Sequence, residues 1–400
     1  MTEHDNKGPL NGLKILDMTR VLAGPTATQL MGDLGADVVK VERPGLGDDT
    51  RAWGPPWIEG EDGETLPESG YYLSANRNKR SIGVDITTQE GAETVRRLAA
   101  KADVFIENFK LGGLKKYGLS YEDLKEVNPG LIYCSITGFG QTGPNAHRAG
   151  YDLMIQGYSG LMSVTGPAGQ PHKVGVAIAD LMTGMYAVVG VQAALRHRDA
   201  TGEGQYIDIA LADTQVAGLI NQGVNHMLTG IVPQSAGNGH SNIVPYEVFP
   251  TADSHIIIAV GNDTQFAAFA DILGRPDLAA DARFTTNPDR VRNRPVIIPI
   301  LQELIAAHRR DDLLAACAER GVPAGPVHNL ADVFSTDQVA ARDMIVPMDF
   351  PGAKDGSVNL IGNPLKLSKT PVSYRHAPPQ CGADTDEVLR DWLDDGMGED

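Results

Sequence analysis

A chain of 400 residues, 42% hydrophobic and with 45 glycines, is long enough for about two domains and has the composition of a turn-rich α/β protein. Its formal net charge of −17 argues against nucleic acid or an anionic membrane surface as the main partner, while leaving room for a local basic pocket. Cys134, Cys317 and Cys381 are far apart and form no CxxC pair, so neither a disulfide framework nor a metal site is expected. The opening MTEHDNKGPLNG is too polar for a signal peptide. The apolar run 182–195 falls short of the ~20 residues of a membrane span, and a soluble, cytoplasmic protein is expected.

Residues 13–18 (LKILDM) read as a strand, 26–34 as a helix closed by Gly35, and 36–41 (ADVVKV) as a second buried strand. This is a βαβ unit, which opens a Rossmann-like parallel-sheet domain. No G-x-G-x-x-G follows the first strand and no P-loop occurs, so dinucleotide and P-loop readings lack their fingerprints. Residues 42–57 are loop, and 76–81 (NRNKRS) lead into a strand at 82–86. Arg43, Arg77, Lys79 and Arg80, beside predicted strand ends, are candidate phosphate ligands, because guanidinium forks match phosphate oxygens. A helix at 89–101 and a strand at 102–107 (ADVFIE) follow. Asn108, Phe109 and Lys110 then stand at a strand's carboxyl end, where open α/β sheets bind ligands. Further on come a helix at 121–127, a strand at 130–137 and a glycine-rich loop at 138–144. Gly157-Tyr158-Ser159-Gly160 lacks the second glycine of a nucleophile elbow, and the serine-hydrolase reading fails.

The stretch KVGVAIADLMTG, residues 173–184, reads as buried extended chain, a turn, and a buried helix with Asp180 at or near its N-cap. Free N–H groups of the first helical turn and the helix dipole would keep such a carboxylate ionised, and an ionised, desolvated carboxylate can attack a carbonyl. Read alone, Asp180 is more simply an ordinary N-cap residue that stabilises its helix. A strand at 205–210 (QYIDIA) and a helix at 213–228 complete the large domain, 1–224. Residues 225–330 read as a smaller α+β domain: a loop holding His240 in GNGHSN, strands within 246–260, and helices at 264–273, 295–307 and 311–320. The Gly-Pro segment 321–327 is read as a linker, and 331–400 as a return to the large domain, with a strand near 346–350 and a helix near 384–394.

Taken together the phrases resemble the class III CoA-transferases and the related α-methylacyl-CoA racemases. The likeness runs from LNGLKILDMTRVLAGPTATQLMGDLGADVVKVERPGLGDDTRAWGPP through NRNKRSIGVDI, VFIENFKLGGLKKYGLSYEDL, ITGFGQTGP, RAGYDLMIQGYSGLMSVTG, VGVAIADLMTGMYA and TGEGQYIDIAL to GVPAGPV. It implies that Asp180 is the catalytic nucleophile, carrying an aspartyl anhydride and then an aspartyl-CoA thioester. It implies CoA and acyl-CoA as substrates, no tightly bound cofactor, and a homodimer of two interlocked rings. By likeness, CoA lies against Val21, Leu22, Arg43, Val84, Asp85, Asn108, Phe109, Lys110 and Lys116, and its pantetheine arm passes Tyr151.

Two departures stand out. The phrase usually read N-F-R-P-G is here Asn108-Phe109-Lys110-Leu111-Gly112, and the three-glycine loop of the formyl-CoA enzymes is absent. The racemases use a histidine where this chain has Tyr151, and an unperturbed tyrosine with a pKa near ~10 is a poor proton shuttle, which favours transfer over racemisation. A small dicarboxylate acceptor is expected, its distal carboxylate held by Arg148 and His240, with succinyl-CoA as donor.

Overall fold

The computed structural model describes residues 8–394, in two compact units. The first comprises the chain up to Leu161, Val174–Val224, and the chain from Gln338 onward. Its sheet has six strands: β1 Lys14–Asp17, β2 Asp37–Glu42, β3 Lys79–Gly83, β4 Val104–Glu107, β5 Ile132–Thr137 and β6 Gln205–Ala210. They are ordered β3-β2-β1-β4-β5-β6, with every neighbouring pair parallel. Most of these strands are near-continuous apolar runs, as a parallel sheet covered on both faces demands. Register sorts them by face. Ile15, Val38, Val104 and Ile132 pair in one row, under α1 (Ala23–Asp33) and α4 (Ile178–Thr201). Leu16, Val39, Phe105 and Tyr133 pair in the next row, pointing to the opposite face under α2 (Gln89–Ala99) and α7 (Thr385–Leu393). The helices α3 (Asp152–Tyr158) and α5 (Leu211–Ala217) pack beside α4.

Four expectations are corrected. The strand placed at 82–86 is β3, three residues earlier, because Lys79 and Ser81 lie buried in the sheet. Consequently three of the four cations offered as phosphate ligands are engaged within the fold. Arg77 forks onto Asp33 at 2.9 and 2.6 Å, Lys79 meets Asp17 at 3.1 Å, and Arg80 bridges Asp37, Glu387 and Asp391. The helix placed at 213–228 is broken into α5 and α6 (Ile220–Thr229), and the first residue of α6, Ile220, has φ 36°. The apolar run 182–195 belongs to the 24-residue α4, which by length and composition is apolar enough to cross a membrane. In this fold its Ala187, Val191 and Ala194 join α1 in the core.

The second unit comprises Met162–Lys173 and Asn225–Asp337. The earlier segment is tied in by Gly237 N, which donates to the Gly166 carbonyl, and by Ser235 Oγ, which donates to Pro167. An antiparallel sheet of β7 (Tyr246–Pro250), β8 (His255–Ala259) and β9 (Ala324–Pro326) packs on helices around Phe249, Phe266, Phe269 and Leu301. The Gly-Pro segment read as a linker thus contributes a strand. In the first unit again, β10 (Ile345–Asp349) and β11 (Ser357–Ile361) form a hairpin.

Candidate active site

Strand order reverses between β1 and β4, so the loops leaving these two strands part and open a crevice at their carboxyl ends. A reciprocal pair of bonds ties the loops together: Arg20 N donates to Asn108 Oδ1 at 3.0 Å, and Asn108 Nδ2 donates to the Arg20 carbonyl at 2.7 Å. Val21 follows at φ 74°, a left-handed conformation that is costly for a β-branched residue. Its N–H reaches both Asp48 oxygens at 3.3 Å. Asp48 is held in turn by the buried Lys40 at 2.9 Å, whose ammonium also donates to the Thr19 carbonyl at 2.8 Å. Burial opposes the charge on Asp48, but Lys40 and Thr50 win and draw its carboxyl down to about 2. The strained turn is therefore fixed from beneath by a buried ion pair.

The third wall comes from β5. A Cβ on Gly138 would lie 2.6 Å from the Gly150 backbone, so only glycine lets these two segments touch. That contact delivers Tyr151, the N-cap of α3, and Asp152 behind it. Asp152 accepts from Ala179 N at 2.8 Å and from Gln156 Nε2 at 2.7 Å, which pins the start of α4. The same helix closes on α1 through Gly184, where a Cβ would come within 2.7 Å of the Ala23 carbonyl oxygen. These two contacts place Asp180 in the crevice, a cavity of about 190 Å³.

Asp180 differs from its sequence-based description. The N-cap is Ala177, the helix begins at Ile178, and residues 174–177 are partly or fully exposed rather than a buried strand. Asp180 is thus the third helical residue, and among the described residues no hydrogen bond reaches its carboxylate. At 9% exposure, burial raises its pKa from 3.8 to about 7, helped by the neighbouring charge of Asp152. Desolvation and a like charge outweigh the helix dipole, so the carboxylate is only partly ionised at neutral pH.

Val21, Leu22, Asn108, Phe109, Lys110, Arg148 and Tyr151 line the cavity together with Asp180. Arg43, Val84, Asp85 and Lys116 do not. Arg43 is exposed just past β2, adding to the Thr87 hydrogen bonds that chiefly lower the Asp85 pKa, while Lys116 is exposed with its ammonium over the Tyr117 ring. His240 belongs to the second unit, where its Nδ1 accepts from Asn242 N, and Arg294 donates to its carbonyl. Arg148 is exposed, lying over the Phe139 and Tyr158 rings. Sequence reasoning missed Arg20, whose guanidinium lines the cavity beside Phe109 with a buried Nε that has no partner among the described residues. It also missed Tyr71, whose phenol is pushed up by burial and then by the charges of Asp180, Asp152 and Asp48. The only sequence signal for Arg20 was its place directly after the first strand. Among the described residues no three His, Cys, Asp or Glu side chains gather as a metal ligand set.

A buried carboxylate with no hydrogen-bond partner among the described residues, facing a crevice at the switch point of a parallel sheet with cations at the rim, suits covalent transfer of an acyl group from an anionic ester. The family described as CoA-transferase family III matches residues 10–385. This chain belongs to CoA-transferase family III. The family III chain is 50% identical over 392 residues to a succinate–glutarate CoA-transferase of Agrobacterium fabrum, covering 97% of each. It is 44% identical over 393 residues to a human succinyl-CoA:glutarate CoA-transferase, covering 98% of this chain and 88% of that one. A crystal structure of a CaiB/BaiF family protein from Brucella suis superposes with a TM-score of 0.86 at 48% identity, covering 96% of this chain and all of the other. The enzyme is a CoA-transferase.

Proposed function

We propose that this family III enzyme moves CoA from succinyl-CoA to a small dicarboxylate, with glutarate the first acceptor to test, through covalent intermediates on Asp180. The burial of Asp180 in the switch-point crevice carries this reading; the names of its relatives supply the substrates. An Asp180 carboxylate oxygen attacks the thioester carbonyl, the C–S bond breaks, and CoA leaves as thiolate from a mixed anhydride. The thiolate then attacks the aspartyl carbonyl, expelling succinate and leaving an aspartyl-CoA thioester. An acceptor carboxylate repeats both steps in reverse and departs as the new acyl-CoA. The thioester's free energy is retained at each stage, so no nucleotide is consumed.

The CoA moiety runs from Arg43, Asp85, Val84 and Lys116 at the outer strand ends, across Asn108, Phe109 and Lys110, past Val21, Leu22 and Tyr151, to Asp180. Arg148, which lines the same cavity as Asp180, takes the acceptor's far carboxylate. The working species is a homodimer of interlocked chains.

The test is trapping. With succinyl-CoA and no acceptor, mild hydroxylamine should convert the acyl-enzyme to a hydroxamate that peptide mapping places at Asp180. The variant Asp180→Asn should fold, yet lose transfer by several orders of magnitude, since a covalent nucleophile has no substitute. Solvent deuterium entering the substrate α-carbon, with no adduct at Asp180, would overturn the proposal in favour of isomerisation.

A further inference from the structure

A second cavity, of about 370 Å³, opens at the carboxyl end of β4 and over Tyr133 and Tyr206 in the first halves of β5 and β6, on the sheet face covered by α2. Sheet register builds its floor. Phe105, Tyr133 and Tyr206 pair in one row, and Glu107, Ser135 and Asp208 pair in the row above, on the same face. Tyr121 leans over the aromatic row, its ring centre 5.9 Å from Tyr133 and 5.5 Å from Tyr206.

Glu107 has no part in the transfer chemistry, yet it is 6% exposed and lines this cavity. Its Oε2 accepts from Phe109 N at 2.7 Å, and among the described residues no cation pairs with it. Asp208, by contrast, is engaged by Gln141 N at 3.0 Å, and Gln141 Nε2 donates to Ser135 Oγ at 2.9 Å. A buried carboxylate lacking a counter-ion is costly, and its chemical complement is a cation. Tyrosine faces attract an ammonium group in the same way. Lys110, Lys115 and Glu122 also line the cavity, so a simple amine leaves the two lysines unmatched, whereas a molecule carrying its own carboxylate is matched at both ends.

We propose that this cavity is a second small-molecule site for an ω-amino carboxylate, its ammonium group on Glu107 among the tyrosine rings and its carboxylate at Lys110 and Lys115. Burial pushes the Glu107 carboxyl up to about 7, against the lowering effects of Ser135 and Phe109 N. The groups facing it are Tyr133 on β5 with Cys134 behind, Tyr206 and Asp208 on β6, and Lys110, Lys115, Tyr121 and Glu122 from the intervening chain. Burial raises Tyr133, Cys134 and Tyr206, so none of these three ionises between pH 6 and 8. The probe keeps both of its own charges across that window, so its affinity follows ionisation of Glu107 and should rise about tenfold from pH 6 to pH 8.

Calorimetric titration of the intact protein with β-alanine, 4-aminobutanoate, 5-aminopentanoate and 6-aminohexanoate tests this, with pentylamine and pentanoate as controls. One member of the series should saturate a single site and bind at least about tenfold more tightly than either control, with the stated pH dependence. Glu107→Gln should weaken it about tenfold and flatten the pH profile. Tyr206→Leu should weaken it less and keep the profile. Because Asp180 titrates in the same range, Asp180→Asn is the locating control, and it should leave both affinity and profile unchanged. Absence of saturable binding, equal binding of pentylamine or pentanoate, or a pH profile abolished by Asp180→Asn overturns the site. Should Glu107→Gln fail to fold, the wild-type profile with the Tyr206 and Asp180 variants still decides.

Discussion

Asp180 carries a stability cost that its chemistry requires. Its folded-state pKa, about 7, lies above the ordinary 3.8, so the folded chain binds that proton more tightly than the unfolded one. The penalty is absent below about pH 4, grows through the interval between the two values, and is complete above pH 7, on the order of 4 kcal/mol. Asp152 contributes the second cause of that shift, after burial. Replacing Asp152 with Asn removes the like charge while leaving an oxygen for Ala179 N. The acid limb of kcat/KM, which needs the Asp180 carboxylate, should then move to lower pH, by less than the whole shift because burial persists. A limb that stays fixed or moves to higher pH would show that Asp152 acts on Asp180 only through packing. Lone residues were where the sequence was least informative. Arg77 and Lys79 look like surface cations in NRNKRS, and only the position of β3 makes them buried partners of Asp33 and Asp17. Burial is a property of the assembled sheet, which charge and spacing within one hexapeptide do not encode.

Elements were far more legible. The strands at β1, β2, β4, β5 and β6 were visible as apolar runs because a doubly covered sheet needs such runs, and the first βαβ unit followed from Gly35 and its flanks. Strand order was not legible, since long-range pairing leaves no local pattern, and the switch point that forms the crevice depends on that order. The α4 start was off by two to three residues because Ala177, not Asp180, makes the turn. At this scale the decisive contact is α4 against α1. Gly184→Ala places a methyl group 2.7 Å from a backbone oxygen, too close to be absorbed by a side-chain rotation. The helices must separate by several tenths of an ångström, carrying Asp180 with them. The variant should fold with a loss of about 1–3 kcal/mol in chemical denaturation. Its kcat should fall more than tenfold while the KM for the acyl-CoA changes less, because misplacing a nucleophile costs rate before affinity. Equal loss in both parameters would indicate general damage instead.

For the whole molecule, the apolar surface left on the first unit argues for a partner. Besides its buried stripe, α4 exposes Met185 at 60% and Val189 at 64%, and the adjoining α3 and α5 expose Leu153, Met154, Tyr158 and Val216. Isolated surface apolar residues are ordinary, but this many on three mutually packed helices make a patch that soluble monomers rarely leave open. In the interlocked dimer proposed above, the second chain would cover it. Val189 is the position to probe, being well exposed and outside the crevice lining. Val189→Glu adds a charge that a folded monomer tolerates in water but that a closed interface must bury unpaired, at a cost of several kcal/mol per copy. Sedimentation should therefore show a shift from dimer to monomer or aggregate, with transfer activity falling in parallel. Retention of a stable, active dimer would place the interface on another face of the protein. The same variant on a chain that is monomeric from the outset would change neither sedimentation nor rate, so the wild-type mass measured beside it separates the two cases.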